Sequence, residues 1–377
     1  MNKLLLTFLF FLVVSFTSQA QENSLNLKEE IIFGLDKELD GSELLGQVNG
    51  FVVDDNFNLY VIDSMTQEIK VFDKNGKLIN RIGKRGRGPG EFLRLNNLYL
   101  ESDLIYAFDP VQYRVTIFDT KGDLVSTIST PKESQVANFF RQIVSYDEKN
   151  FLIFYKQWGE GNYSKYDKDE IFHIWDRKFK SKKNSFGSFE RFNFKNSFGE
   201  IVSRSRGGSM LFIDEEIIYV SPYLYDGFLY KYIKSNNKWS FNQKISGTKL
   251  EVEAYIEAKD INEKELSTFR SFGKTVQGKY SVIDAGIYSY MKDFIVHFIL
   301  FKRYDLNDVG QKWEFGAELF NKKGEFISYS TLSIVDGIDV NHSERIIDYK
   351  DNDGSFYMLF GKQGEHLIKR FKLEISK

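Results

Sequence analysis

The residues best suited to chemistry in this chain are arginines and aromatic rings in the segments between its repeated units. Arg85, Arg87, Arg94, Arg141, Arg206 and Arg345 are joined by Trp158, Tyr163, Tyr223 and Tyr225. A guanidinium fork grips carboxylates, and an aromatic face stacks on sugars, bases or peptide side chains. That is the chemistry of recognition. For any one of these residues the plainer reading is a ring packed between sheets or an arginine facing water.

Bond-making chemistry is less well provided for. His173, His297, His342 and His366 lie in different repeats and lack metal-ligand spacing. No G-x-S-x-G occurs. Asp351-Asn352-Asp353-Gly354 lacks the glutamate that completes a calcium loop. The glycine-rich run Gly83–Gly90 lacks the G-K-[ST] ending that places phosphates, so its glycines read as turn formers. Asp63 and Asp109 end strands and are expected to bond the adjacent turns rather than a metal. Asn49, Asn96, Asp284 and Glu344 begin inner strands; a catalytic metal site, calcium above all, would need them to converge.

The elements that must position these residues come from a repeat. Leu59–Asp63 is answered by Ile105–Asp109 and Ile69–Asp73 by Val115–Asp119, each at an offset of 46 (109 − 63, 119 − 73). A constant period of that size marks a propeller blade or a similar unit. Two blades run over about 48–83 and 95–130, with degenerate copies at 142–187, 208–247 and 281–333. A sixth begins near Arg345 and has only three strands. Leu25–Gly34 reads as a lone strand and is expected to supply the fourth, which would close the ring and hide its edges. Asn262-Glu263-Lys264-Glu265 has the form of a capping box, followed by Leu266, Phe269 and Arg270 at helical spacing. It predicts a short helical insertion within about 251–272. The reading is all-β: a six-bladed propeller of four-stranded antiparallel blades, with a five- or seven-bladed ring as the alternative.

Composition narrows the setting. Lys3, the 11-residue apolar run Leu4–Val14 and Ser18-Gln19-Ala20 have the order of a signal peptide, so residues 1–20 are expected to be removed and 21–377 to form one domain. The protein is then periplasmic or secreted, with no membrane insertion after that removal. Lys and Arg (51) balance Asp and Glu (53), which gives no field toward nucleic acid. The chain has no cysteine, which excludes disulfides, thiolate metal sites and a lipid-modified cysteine. Aromatics at 16% suit strands.

The run Arg81-Ile82-Gly83-Lys84-Arg85-Gly86-Arg87-Gly88-Pro89-Gly90-Glu91-Phe92 resembles the joint between blades in NHL-repeat-like propellers, and more narrowly in the exported bacterial six-bladed β-propeller family. The resemblance implies a fold and an interaction surface, and no reaction.

In such a blade the turns after strands one and three lie on one face. The turns after strand two and the blade-to-blade connections lie on the other. The first set is short throughout, as at Asp54–Asn56 and Lys74–Gly76. The second holds all the surplus length, at 83–92, 157–169, 188–206, 221–227, 248–279 and 303–312. Long insertions are commonly functional; these carry Arg85, Arg87, Arg206 and the rings named above, and Arg94, Arg141 and Arg345 stand at the inner-strand entries on the same face. The expectation is therefore a non-catalytic module that holds a glycan, peptide or partner protein on this long-loop face, with no resident cofactor. The alternative is a metal-dependent lyase or hydrolase at the channel mouth.

Overall fold

The computed structural model describes residues 24–34, 45–131, 140–155, 170–192, 194–251, 253–258, 261, 266–271, 274–303, 312–335, 347–350, 354–362 and 365–376. Strand β1 is Ser24–Phe33. Blade one is β2 (Val48–Val53), β3 (Leu59–Asp63), β4 (Glu68–Phe72) and β5 (Leu78–Ile82). Two short strands, β6 (Lys84–Arg85) and β7 (Glu91–Phe92), pair in parallel within the connection that follows. Blade two is β8 (Asn97–Glu101), β9 (Leu104–Asp109), β10 (Arg114–Asp119) and β11 (Leu124–Ser129). Blade three is β12 (Phe140–Ser145), β13 (Asn150–Tyr155), β14 (Phe172–Asp176) and β15 (Lys182–Phe186).

Helix α1 (Ser197–Arg206) leads into blade four: β16 (Gly208–Ile213), β17 (Ile217–Pro222), β18 (Phe228–Ser235) and β19 (Lys238–Ser246). A three-stranded sheet follows, of β20 (Tyr255–Glu257), β21 (Ser267–Ser271) and β22 (Lys274–Tyr280). Blade five is β23 (Val282–Tyr290), β24 (Phe294–Arg303), β25 (Lys312–Asn321) and β26 (Phe326–Val335). Blade six is β27 (Ile347–Lys350), β28 (Ser355–Lys362) and β29 (Glu365–Ser376), with β1 antiparallel to β29 as its fourth strand.

The order within each blade follows from burial. The middle strands lie between neighbours on both faces and are mostly buried: Leu59–Asp63 is buried at every position. The outermost strand of blade two, β11, is exposed along nearly all its length. Blades meet mainly through packed side chains. Val52, Tyr60 and Ile62 pack with Leu98, Ile105 and Phe118 between blades one and two. Blades two and three share Phe108, Phe151 and Trp175. Blades three and four share Phe154, Phe172 and Tyr230. A larger cluster joins blades four, five and six. Phe33, Phe51 and Tyr357 join blade six to blade one.

One turn recurs between the third and fourth strands. The Asp73 carboxylate accepts from the backbone N–H of Asn75 and Lys77 at 2.9 Å each. Asp119, Asp176 and Asn321 repeat the arrangement. The next-but-two residue takes positive φ, which glycine adopts without strain: Gly76 (86°), Gly122 (96°) and Gly324 (89°). Blade three puts Phe179 there at φ 52°. Its fully buried ring, stacked 5.2 Å from Phe151, offsets the backbone strain.

The expected helix within 251–272 is corrected by the structure. Phe269 and Arg270 lie in β21, paired with Val276 and Thr275 of β22. Residues 262–265, the capping box itself, lie outside the described residues. The helix stands instead at Ser197–Arg206, capped by the Asn196 side chain, which accepts from the Gly199 N–H at 2.9 Å. Among the described residues no helix is long and apolar enough to cross a membrane.

Candidate functional site

The two largest described connections pack on each other. Gly199 of α1 lies so close to the Tyr255 ring of β20 that a Cβ would overlap it, and Phe198 meets Phe269 edge-on at 5.9 Å. The Tyr255 hydroxyl accepts from the Lys195 N–H at 3.1 Å. Helix and small sheet thus form a cap beside blade four, on the face of the long loops. Between cap and blade lies a cleft of about 460 Å³, whose lining includes Lys195, Asp226, Phe228, Thr248, Lys249 and Glu251. Burial pushes the Asp226 carboxyl up, against the opposing charges of Lys244 and Lys195. Its Oδ1 is buried without a hydrogen-bond partner. The Lys244 ammonium lies 4.4 Å from the Phe228 ring centre.

Near the starts of the inner strands β12, β16 and β23 lies a small mouth lined by Arg141, Gly208, Ser209 and Asp284. Arg141 of β12 is buried, and its Nε–H donates to the Gly208 carbonyl at 3.0 Å. Gln142 and Met210 exchange two bonds between blades three and four. The turn after β17 bends back onto blade five, where the Asp284 N–H donates to the Tyr223 carbonyl at 2.8 Å and Leu224 bridges Ile283. A β-bulge between Asp284 and Gly286 re-aims the strand there.

A chain of buried polar groups runs from this mouth into the interface between blades four and five. The Ser209 hydroxyl donates to Asp284 Oδ1 at 2.6 Å. His297 Nε2 bonds the same oxygen at 3.0 Å, and its Nδ1 bonds Glu318 Oε2 at 2.8 Å. Glu318 also accepts from the Tyr225 hydroxyl at 2.7 Å and the Thr248 N–H at 2.5 Å. Burial alone would push the imidazole down. The bonds to Asp284 and Glu318, and their charges, outweigh it and bring His297 up to about 9. At neutral pH it is an imidazolium that donates to both carboxylates. Strand register makes this possible: His297 stands opposite Glu318, Asp284 opposite Ile299, and alternation puts all three on one face of blade five. Gly247 has no room for a side chain, because a Cβ would overlap the Tyr225 hydroxyl and Glu318. Thr248 both lines the cleft and bonds Glu318, so the chain links the cleft to the mouth at Asp284.

The sequence-derived candidates divide between these places. Arg141, Arg206, Tyr223 and Tyr225 converge here. Arg206 lies 5.9 Å from the Tyr223 ring and 5.8 Å from Phe269. Burial pushes the Tyr223 phenol up, while Arg206 and Arg141 pull it down. Tyr225 serves the buried chain and shows no surface to a ligand. Arg85, Arg87 and Arg94 are exposed on the connection between blades one and two. Arg85 bonds the Met65 carbonyl at 3.2 Å, and its loop is clamped by Gln112 and Arg114. Glycine-rich Gly83–Gly90 is therefore a folded knob that seats Phe92 in the core. Trp158, Tyr163 and Arg345 lie outside the described residues.

Two of the amides named for a metal are engaged in bonds to backbone carbonyls. The Asn49 side chain donates to the Leu95 carbonyl between blades one and two, and the Asn96 backbone N–H donates to the Phe108 carbonyl. Glu344 lies outside the described residues. Among the described residues no group of three His, Asp or Glu has metal-holding geometry. Asp63 takes Lys70 at 2.8 Å and the Met65 N–H at 3.0 Å, and Asp109 accepts five hydrogen bonds from neighbouring loops, as turn-bonding aspartates should. His297, Glu318 and Ser209 were not legible as a site. The available signal was a titratable residue inside each of two apolar runs, Phe294–Phe301 and Phe315–Phe320, since a buried charge demands a partner.

A family profile described as 6-bladed beta-propeller matches residues 42–268. Among solved structures, a member of the DUF4221 family from Bacteroides vulgatus superposes with a TM-score of 0.57 at 12% identity, over 94% of this chain and 100% of that one. A Bacteroides fragilis protein whose name marks it as a candidate exported protein superposes with a TM-score of 0.51 at 13% identity, over 95% and 97%. No curated protein sequence matches the chain.

Proposed function

The chain belongs to the 6-bladed beta-propeller family, and from that premise we propose that it is an exported, non-catalytic binding protein that holds a glycan, peptide or partner protein on its long-loop face. The observation that carries this reading is the cleft of about 460 Å³ between cap and blade four, a volume in the range of small-molecule and short-oligomer sites. Its lining alternates charges of both signs with an aromatic ring, which suits a polar, extended ligand. The apolar run Leu4–Val14 before Ser18-Gln19-Ala20 supports export to the periplasm or beyond.

The experiment is a glycan and peptide array probed with the purified protein and with Phe228→Ala, Lys249→Ala and Lys195→Ala, three residues of the cleft lining. The reading expects at least one class of binder, weakened about tenfold or more by two of the three changes, a loss worth about 1.4 kcal/mol. A binder indifferent to all three would remove the cleft from the account.

A further inference from the structure

Helix α1 ends in a cation whose partners are rings rather than carboxylates. The Arg206 guanidinium lies over the Tyr223 ring at 5.9 Å and over the Phe269 ring at 5.8 Å. Among the described residues it makes no hydrogen bond and no ion pair, and its nitrogens are open to solvent. Arg204, two residues earlier, pairs with Glu200 at 2.9 Å. The Tyr223 hydroxyl is in the same condition as Arg206. The residue is 6% exposed, yet its oxygen reaches the surface and has no hydrogen-bond partner among the described residues. Burial pushes this phenol up, so it keeps its proton at neutral pH and can donate.

The helix dipole favours a cation at a C-terminus, which accounts for a positive charge at this position. It does not account for two rings beside the guanidinium. Ring faces steady a guanidinium and leave its N–H groups for another partner. A fork of N–H groups matches the two oxygens of a planar carboxylate. Arg141 adds positive field at Tyr223 while its Nε–H is engaged with the Gly208 carbonyl, so no hydrogen bond is asked of it. The opposing charge of Asp284 is met by His297. A phosphate dianion would bring two negative charges to one unpaired cation. A neutral sugar would leave that cation without a counterpart.

We propose that Arg206 and Tyr223 form a subsite for a small organic monocarboxylate, the guanidinium donating to both carboxylate oxygens and the Tyr223 hydroxyl to one of them. The cap builds this subsite. Strand β21 carries Phe269 to the arginine, and Phe198 of α1 meets the same ring edge-on at 5.9 Å. The subsite shares the long-loop face of the proposed function and rests on that reading for the face alone. Helix α1 has ten residues, so Arg206 stands roughly 15 Å along it from the end near Lys195 and the cleft.

The test follows the arginine Nε–H groups of the intact protein by NMR, with the Arg206 signal assigned through its loss in Arg206→Lys. The probes are acetate, D-glucuronate, D-glucose, inorganic phosphate and sodium chloride at matched ionic strength. Glucuronate and glucose differ at the carboxylate alone. The expected result is a saturable shift of the Arg206 signal with acetate and glucuronate, none with glucose, and at least tenfold weaker binding of phosphate and chloride. Tyr223→Phe should weaken glucuronate about threefold or more, and Lys249→Ala should leave its binding unchanged. An Arg206 signal that no carboxylate moves, or that chloride or phosphate moves as readily, overturns the proposal. So does a shift that disappears in Lys249→Ala, since the carboxylate would then sit in the cleft. Array binders that depend on Phe228 and Lys249 would survive such a failure, so the two readings are separable.

Discussion

His297 is the residue on which the interior of blades four and five turns. Its folded value of about 9 lies above the ordinary 6.5, so its contribution to stability is fully present below pH 6.5 and is lost as pH rises through 9. A shift of that size corresponds to roughly 3 kcal/mol. Urea unfolding at pH 6.5 and pH 9 should therefore show the protein weaker at pH 9 by an amount of that order, and His297→Gln should flatten the slope in that window. A stability that rises between those two pH values would show the imidazole to be neutral in the fold. The same residue scale holds what a lone sequence conceals. His297 sits in Phe294–Phe301 and Glu318 in Phe315–Phe320, two strands otherwise apolar. Their pairing depends on which residues stand opposite each other across two strand boundaries, and no periodicity in the chain records that.

At the scale of elements, the strands were legible because their turns are written in sequence. Asp73, Asp119 and Asn321 with the glycine three residues on announce the third turn of a blade, and the copies at 46-residue spacing announce the blade itself. Helix α1 was hidden for a physical reason. Gly199 and three serines argue against a helix, yet Phe198, Ile201 and Val202 are buried together against the cap, and packing overrides propensity. The reverse error arose at Phe269 and Arg270, where helical spacing coincided with a strand in a small sheet. Gly199 offers a test of this element. Gly199→Val places bulk where the Tyr255 ring lies, so the change should release α1 from β20 while leaving the six blades folded. Hydrogen exchange should then accelerate in 197–206 and 255–257, with β2 to β5 unchanged. Equal protection of α1 in both proteins would show that the cap is not held by this contact.

At the scale of the whole molecule, both ends of the chain share one sheet, which was readable from a simple shortage: the last copy had three strands and Leu25–Gly34 had no neighbour. The register Leu25↔Ile375 through Phe33↔Ile368 meets that expectation. Loop length pointed to the blade-to-blade connections as the places where extra structure would sit, and the helix and small sheet stand in two of them. That these two connections meet as a cap beside blade four, with a cleft between them, was not readable, because lengths say nothing about which connections pack together. The measurement that tests the account most directly is hydrogen exchange of the protein with and without a ligand recovered from the array. The account predicts slowed exchange in 221–228 and 246–254, with none at the short turns 74–76, 121–122 and 322–324. Protection confined to those short turns would place binding on the opposite face and contradict the account.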